Sequence, residues 1–169
     1  MTYRSISLWK IFLVAFGRYW RLAFSALHLR RRRLGYKYDI EQAGVFEIFR
    51  ETVSQAAGDE PPAVLVVGFR LKYIRGNPFF HWCFQRICIL TTPFWSGFPG
   101  FRIKLWMVNP DTKDYLGIYQ WRGQANTQRY VDFLTPVLNF FSIHSSVWHR
   151  LYPDTELENY LRIRLAAGN

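Results

Sequence analysis

Residues 101–121 have the sequence FRIKLWMVNPDTKDYLGIYQW, which carries the clearest hairpin signal in the chain. Residues 101–108 and 115–121 are rich in the aliphatic and aromatic side chains that strands favour. Residues 109–114 between them contain the Asn, Pro and Asp residues typical of tight turns. The stretch therefore predicts two antiparallel strands joined by a short loop.

The helices and strands predicted on either side of this hairpin follow one another in the order of a known fold. Residues 79–91 and 123–141 have apolar side chains at helical spacing, although Pro136 is expected to kink or end the second helix early. Strands are predicted at 63–74 and 146–152. The order is βαββαβ, which predicts an α+β, ferredoxin-like fold of the dimeric α/β barrel type. Such a fold has an antiparallel sheet with two helices on one face.

The other face of this sheet is expected to be uncovered. Several predicted strands carry aromatic side chains on both faces, so the second face needs a partner. A second copy of the chain or a different protein would supply one. Residues 45–53 form a possible extra strand at the edge of the sheet. The predicted units are therefore a basic segment (1–33), a connector (34–62), the α+β domain (63–153) and a short helix with a tail (154–169).

The charge of the chain is concentrated in its first segment. The formal net charge is +10, and residues 1–33 contain eight basic and no acidic side chains. The remainder is nearly neutral, which argues against a nucleic-acid-binding face on the domain. Cys83 and Cys88 are spaced for neither a disulfide framework nor a zinc site, so we expect two reduced thiols.

Residues 5–33 are predicted to form an amphipathic helix that lies in a membrane interface. A narrow cationic stripe runs beside a wide apolar face, and four arginines follow, a pattern that suits anionic lipid headgroups. We expect the domain to be a peripheral or monotopic membrane protein on the cytoplasmic side. The predicted membrane-binding side chains are Lys10, Arg18, Arg21, Trp9, Phe12, Phe16, Trp20, Arg30, Arg31, Arg32 and Arg33.

Three alternatives remain open for this segment. It is long enough to span a bilayer, but Arg18 and Arg21 would then lie deep in the hydrocarbon. A secretory signal peptide is disfavoured because no clear cleavage site follows the apolar run. The segment could also pack on a partner protein or on the domain itself.

Residues 45–153 resemble an uncharacterised bacterial family of small α+β proteins. The resemblance is carried by Phe98-Pro99-Gly100-Phe101, Lys104-Leu105-Trp106 and Tyr119-Gln120-Trp121-Arg122-Gly123. That family is related to the dimeric α/β barrel superfamily, which includes YdhR-like proteins and antibiotic-biosynthesis-type monooxygenases. The resemblance implies the fold but no particular activity, because the superfamily contains oxygenases, haem-degrading enzymes and proteins without known activity.

The residues themselves predict little chemistry. No phosphate-binding loop, nucleophile elbow or metalloprotease motif is present in the sequence, and we expect no cofactor and no metal. His149 and Trp148 are candidates for a catalytic pocket, and His81 is a candidate ligand-binding residue.

Two functions follow from the sequence. The first is a non-catalytic accessory subunit that docks the α+β domain onto a larger integral-membrane protein complex, of the electron-transfer or photosynthetic kind. The alternative is a membrane-associated, monooxygenase-like or ligand-binding enzyme that acts on a hydrophobic small molecule.

Overall fold

The computed structural model describes residues 27–30, 32–54, 59–72, 77–95 and 98–165. Most of the predicted membrane helix, residues 1–26, lies outside these ranges. Within them the chain forms β1 (Leu27–Arg30), β2 (Lys37–Ile40), β3 (Gly44–Ser54), β4 (Pro62–Phe69), α1 (Pro78–Trp95), β5 (Phe101–Val108), β6 (Tyr115–Arg122), α2 (Gln124–Phe141), β7 (Trp148–Pro153) and α3 (Leu157–Arg162).

The strands form one sheet in which all neighbours are antiparallel. Its order is β1-β3-β5-β6-β4-β7, and β2 also pairs with β3. The segment from β4 to β7 runs strand, helix, two strands, helix, strand, and its strands lie in the order β5-β6-β4-β7. This is the ferredoxin-like arrangement, so the predicted fold class is confirmed for the domain.

The hairpin of β5 and β6 has the register expected of a short turn, with Val108 opposite Tyr115. Asn109 organises the turn, because its side-chain oxygen accepts hydrogen bonds from the backbone N–H groups of Asp111 and Thr112, both at 2.9 Å. This Asx-type turn fixes the loop without tertiary contacts. The predicted hairpin is confirmed.

The strand predicted at 45–53 is present, but it is not at the edge of the sheet. β3 pairs with β5 along one side and with both β1 and β2 along the other. The pairing is irregular between Ile48 and Arg50, where β3 contains a bulge. The edge prediction was wrong because β1 lies within the segment predicted as a helix and β2 within the predicted connector, so neither was expected to pair with β3.

The first face of the sheet packs against α2. Its core consists of Leu65, Val67, Phe101, Tyr119 and Trp121 from the strands, with Tyr130, Val131 and Leu134 from α2. α2 does not end early at Pro136, since it continues to Phe141. α1 covers the same face through Phe84, whose ring lies 4.5 Å from that of Tyr115 and 6.1 Å from that of Phe69. Both predicted helices therefore lie on one face.

The second face is covered by the chain's own C-terminal helix, so the prediction that it is uncovered was wrong. α3 contributes Leu157, Tyr160 and Leu161 to a core with side chains from β2 to β6. The buried Gln120 side chain holds the start of this helix: its amide oxygen accepts a hydrogen bond from the backbone N–H of Leu157, and its amide nitrogen lies 3.4 Å from the Thr155 carbonyl. The side chain thus satisfies a helix-end N–H that has no intrahelical partner.

The end of the predicted N-terminal helix is also corrected. Residues 27–30 form β1, and residues 32–35 form a turn. Arg33, predicted to bind lipid headgroups, is buried and paired with both Glu51 and Glu158. Arg33 is therefore not available to bind lipid headgroups, whereas Arg32 is exposed.

We expect Glu51→Ala to lower the free energy of unfolding much more than Glu158→Ala, although both substitutions remove a partner of Arg33. Glu51 is fully buried, so its loss leaves the buried Arg33 guanidinium with only the exposed Glu158 as a partner and should lower the free energy of unfolding by about 3–5 kcal/mol. Glu158 has a 68 % exposed side chain, so its loss should lower it by about 1 kcal/mol or less. Urea denaturation followed by tryptophan fluorescence measures both changes. Equal effects would contradict the assigned roles.

Candidate functional site

A cavity of about 610 Å³ opens at one end of the sheet. The indole of Trp148 forms part of its wall and lies directly over β4, where Gly68 leaves room for it. A Cβ atom at Gly68 would come within 2.3 Å of that ring. The lining also includes Phe46, Phe69, Tyr115, Ile143 and His144.

The two catalytic candidates on β7 point to opposite faces of the sheet, because the side chains of adjacent strand residues alternate. Trp148 lines the cavity, whereas His149 is exposed and does not. His144, a third candidate for acid–base chemistry in the sequence, does line it. An ion pair between Arg70 and Asp114, with nitrogen–oxygen distances of 2.5 and 2.6 Å, contributes to the lining as well. The cavity is therefore aromatic in part and charged in part, and only Trp148 of the predicted pair belongs to it.

His81 lies on the side of α1 that faces the sheet. Its Nδ1 is 2.8 Å from the Tyr115 hydroxyl, and the two rings are stacked. Burial, with a smaller contribution from the positive charge of Lys113, lowers the pKa of His81. The imidazole is thus favoured in its neutral form. Among the described residues, no group of three or more His, Cys, Asp or Glu side chains is arranged to hold a metal ion.

Two cations that were not predicted to be site residues are buried between the sheet and α1. Lys104 on β5 is 5 % exposed and Arg50 on β3 is 9 % exposed. The Lys104 ammonium nitrogen lies 3.1 Å from the centre of the Trp106 ring and 4.7 Å from that of Tyr119. The Arg50 guanidinium carbon is 5.8 Å from the same Trp106 ring. The only sequence signal was a lysine in the middle of an apolar strand.

The bulge in β3 is what turns Arg50 toward α1. Ile48 pairs with Met107 and belongs to the second-face core. Two residues later Arg50 pairs with Trp106, whose side chain is on the first face. Bulges commonly re-aim a side chain in this way near binding sites.

Cys88 of α1 faces these two cations. Burial raises the pKa of its thiol to about 11, even though the positive charges of Lys104 and Arg50 act in the opposite direction. At neutral pH the side chain is therefore a thiol rather than a thiolate. Desolvation by burial also lowers the pKa of Lys104 well below its ordinary value.

The outer face of α1 is apolar and exposed. Phe79 is 63 % and Trp82 is 53 % exposed, and their rings are stacked at 6.2 Å. Phe80 and Ile87 lie on the same face of the helix and are also exposed. Arg86 packs over Trp82 at 5.1 Å. In the part of the chain that the structure describes, no helix combines the length and apolarity needed to cross a membrane.

Comparison with known proteins identifies similar folds. No protein-family model matches the sequence, and no curated protein matches it. One similar structure is an uncharacterised ferredoxin-fold protein from Listeria monocytogenes that is related to antibiotic biosynthesis monooxygenases. It has a TM-score of 0.45 and 14 % identity, over 70 % of this chain and 69 % of that one.

Another similar structure is described as a major regulator of staphylococcal pathogenesis. It has a TM-score of 0.47 and 10 % identity, over 83 % of this chain and 93 % of that one. Neither match bears on what this chain binds or catalyses.

We expect the two cysteines to react at very different rates with iodoacetamide near pH 8. The thiolate is the reactive form, and a pKa of about 11 leaves roughly one Cys88 side chain in a thousand ionised at that pH. Cys83 is partly exposed on the same helix and is the internal reference. Peptide mass spectrometry over time should show Cys83 modified first. Equal rates would mean that α1 does not close over the first face.

Proposed function

We propose that this protein is a peripheral membrane protein that binds an anionic lipid surface through its N-terminal segment and the outer face of α1. The observation that carries the proposal is the exposed group Phe79, Phe80, Trp82 and Ile87. Aromatic side chains of this kind favour the headgroup region of a bilayer, where an apolar ring and a polar surrounding meet.

The charge of the chain supports an anionic surface as the partner. Lys10, Arg18 and Arg21 precede the described residues in a segment that contains no acidic side chain. Arg86 and the exposed Arg32 add positive charge within the described part. Each basic residue close to such a surface contributes about 1 kcal/mol of attraction. The domain would then be held at the membrane by apolar and ionic contacts together.

At the membrane, we propose that the domain acts as an accessory subunit of an integral-membrane protein complex. Gentle detergent extraction of native membranes, followed by size separation and detection of this chain, tests this step. Comigration with a large complex would support the proposal and identify the host. Migration at the size of the chain alone or of a pair of chains would contradict it.

Binding to vesicles tests the lipid surface itself. We expect the full chain to bind vesicles of three parts phosphatidylcholine to one part phosphatidylserine, and to bind less as NaCl screens the charges. Replacing Phe79, Phe80 and Trp82 by Ser should lower the partition coefficient at least about tenfold, since one fully buried aromatic side chain contributes about 1.5–3 kcal/mol. Vesicle sedimentation measures the effect.

Two further variants complete this test. Ile163→Ser removes an equally exposed apolar side chain next to α3, on the other side of the sheet, and should leave binding unchanged. Replacing Lys10, Arg18 and Arg21 by Gln should weaken binding to anionic vesicles but not to phosphatidylcholine alone. If the α1 variant binds as tightly as the unaltered chain, the outer face of α1 is not a membrane surface.

The second candidate function is a membrane-associated, monooxygenase-like or ligand-binding enzyme that acts on a hydrophobic small molecule. The cavity beneath Trp148 favours it, because a partly aromatic recess with a few polar groups is typical of ligand sites. Dioxygen-dependent turnover by the purified chain, lost in Trp148→Ala, would support this function over the accessory role.

Nile red fluorescence tests whether the cavity takes an apolar ligand. We expect Trp148→Ala to weaken binding roughly two- to tenfold, the range for loss of one aromatic contact. His149→Ala is the matched control on the adjacent residue and should leave binding unchanged, because His149 does not line the cavity. Equal binding by all three proteins would rule out the cavity as the site.

A further inference from the structure

Arg50 and Lys104 are buried without any Asp or Glu side chain beside them. All twelve Asp and Glu side chains lie in the described residues, and none forms an ion pair or hydrogen bond with either cation. Nε and Nη1 of Arg50 are fully buried and have no hydrogen-bond acceptor. Glu51, the next residue along β3, points to the opposite face and pairs with Arg33.

An unpaired buried charge of this kind is costly and calls for compensation. Lys104 can lose its proton, and burial favours that loss. Arg50 cannot, because a guanidinium remains protonated in proteins. Cys88 is the nearest acidic group on α1, and it stays a neutral thiol. No side chain of the described residues supplies the missing negative charge, and a bound anion would do so.

The surroundings of the two cations limit what that anion can be. They lie among the rings of Trp106 and Tyr119, with Cys88 facing them from α1. Trp106 is held in place by its indole N–H, which donates to the Thr52 hydroxyl at 3.2 Å. A ligand that reaches Arg50 has to place an apolar body against these groups. A strongly hydrated ion gains nothing from such walls.

We propose that Arg50 and Lys104 form a binding site for the carboxylate of a small apolar organic acid, held between the sheet and α1. Arg50 donates charge-assisted hydrogen bonds to the carboxylate, the kind of pairing for which a guanidinium is best suited. Lys104 adds a further donor when it is protonated, and Trp106 and Tyr119 contact the apolar part. The site lies on the sheet side of α1, so it does not depend on the membrane association proposed above.

Isothermal titration of the full chain in the absence of vesicles, with sodium octanoate as the probe, tests this site. We expect octanoate to bind and Arg50→Met to weaken its binding at least about tenfold, because truncating one partner of a buried charge pair has an effect of that size. Lys104→Met should weaken it less. Arg129→Met removes an exposed arginine on α2 and should leave binding unchanged.

Folding of the variants is followed separately by thermal unfolding. We expect unliganded Arg50→Met to have a melting temperature no lower than that of the unaltered chain, since it removes an uncompensated buried charge. Octanoate should raise the melting temperature of the unaltered chain and not that of Arg50→Met. If Arg50→Met does not fold, octanoate binding and melting temperature are compared between Lys104→Met and the unaltered chain.

Four results would overturn the proposal. Equal binding of 1-octanol would show that only the apolar walls matter. Binding of inorganic phosphate in place of octanoate would show a site for a hydrated anion. Octanoate binding that is lost in Trp148→Ala but kept in Arg50→Met would place the ligand in the cavity lined by Trp148. Absence of any octanoate binding would remove the site.

Discussion

The ion pair between Arg33 and Glu51 holds the second face of the domain closed. Glu51 projects from β3 into the second-face core, and Arg33 reaches it from the turn that follows β1, with Glu158 of α3 as a second partner. One guanidinium thus joins the start of the domain, its longest strand and its last helix. Because the Glu51 carboxylate is fully buried, its position and that of Arg33 are strongly constrained, and the apolar packing of α3 forms around them.

The two faces of the sheet differ in whether their buried cations have a carboxylate partner. On the second face, a cation meets its carboxylates and α3 packs over the pair. On the first face, Arg50 and Lys104 are set among aromatic rings and no Asp or Glu side chain is close to them. The bulge in β3 produces this contrast, because it shifts the alternation of the strand so that Arg50 lies on the first face and Glu51 on the second. A single irregularity in one strand therefore creates both a closed core and a site suited to a ligand.

Local signals in the sequence were enough to predict the elements from β4 to β7. The turn at Asn109 and the helical spacing in α1 and α2 arise from residues close in the chain, so the βαββαβ order followed from them. β1 and the central position of β3 depend on pairing between distant segments, whereas β2 alternates polar and apolar residues and is joined to β3 by a short turn, a local signal that was not recognised. α3 was predicted as a helix, but its packing was missed because six residues reveal little about what they cover.

The charged residues were harder to interpret than the apolar ones. Arg33 belongs to a run of four arginines that is typical of an exposed cluster, and its partner Glu51 is eighteen residues away. Lys104 and Leu105 follow the alternation of polar and apolar residues expected of a strand. That pattern does not show that the lysine would be buried without a counterion. Trp148 lines the cavity and His149 does not, and the sequence alone did not determine which face each residue presents. The membrane helix and most of its side chains lie outside the described residues and stay a prediction.

The short outer strands of the sheet affect how the domain can associate with other chains. Among the described strands, those with an unpaired side are β1, of four residues, and β7, of six residues, while the outer side of β2 is bridged at Tyr38 to Leu165. β7 also ends at Pro153, which has no N–H to donate. A strand from another molecule would therefore gain few backbone hydrogen bonds by extending the sheet, which protects a chain of 50 % hydrophobic composition against edge-to-edge aggregation. Assembly with a partner would then rely on side-chain surfaces, and α1 presents the most apolar of these described here.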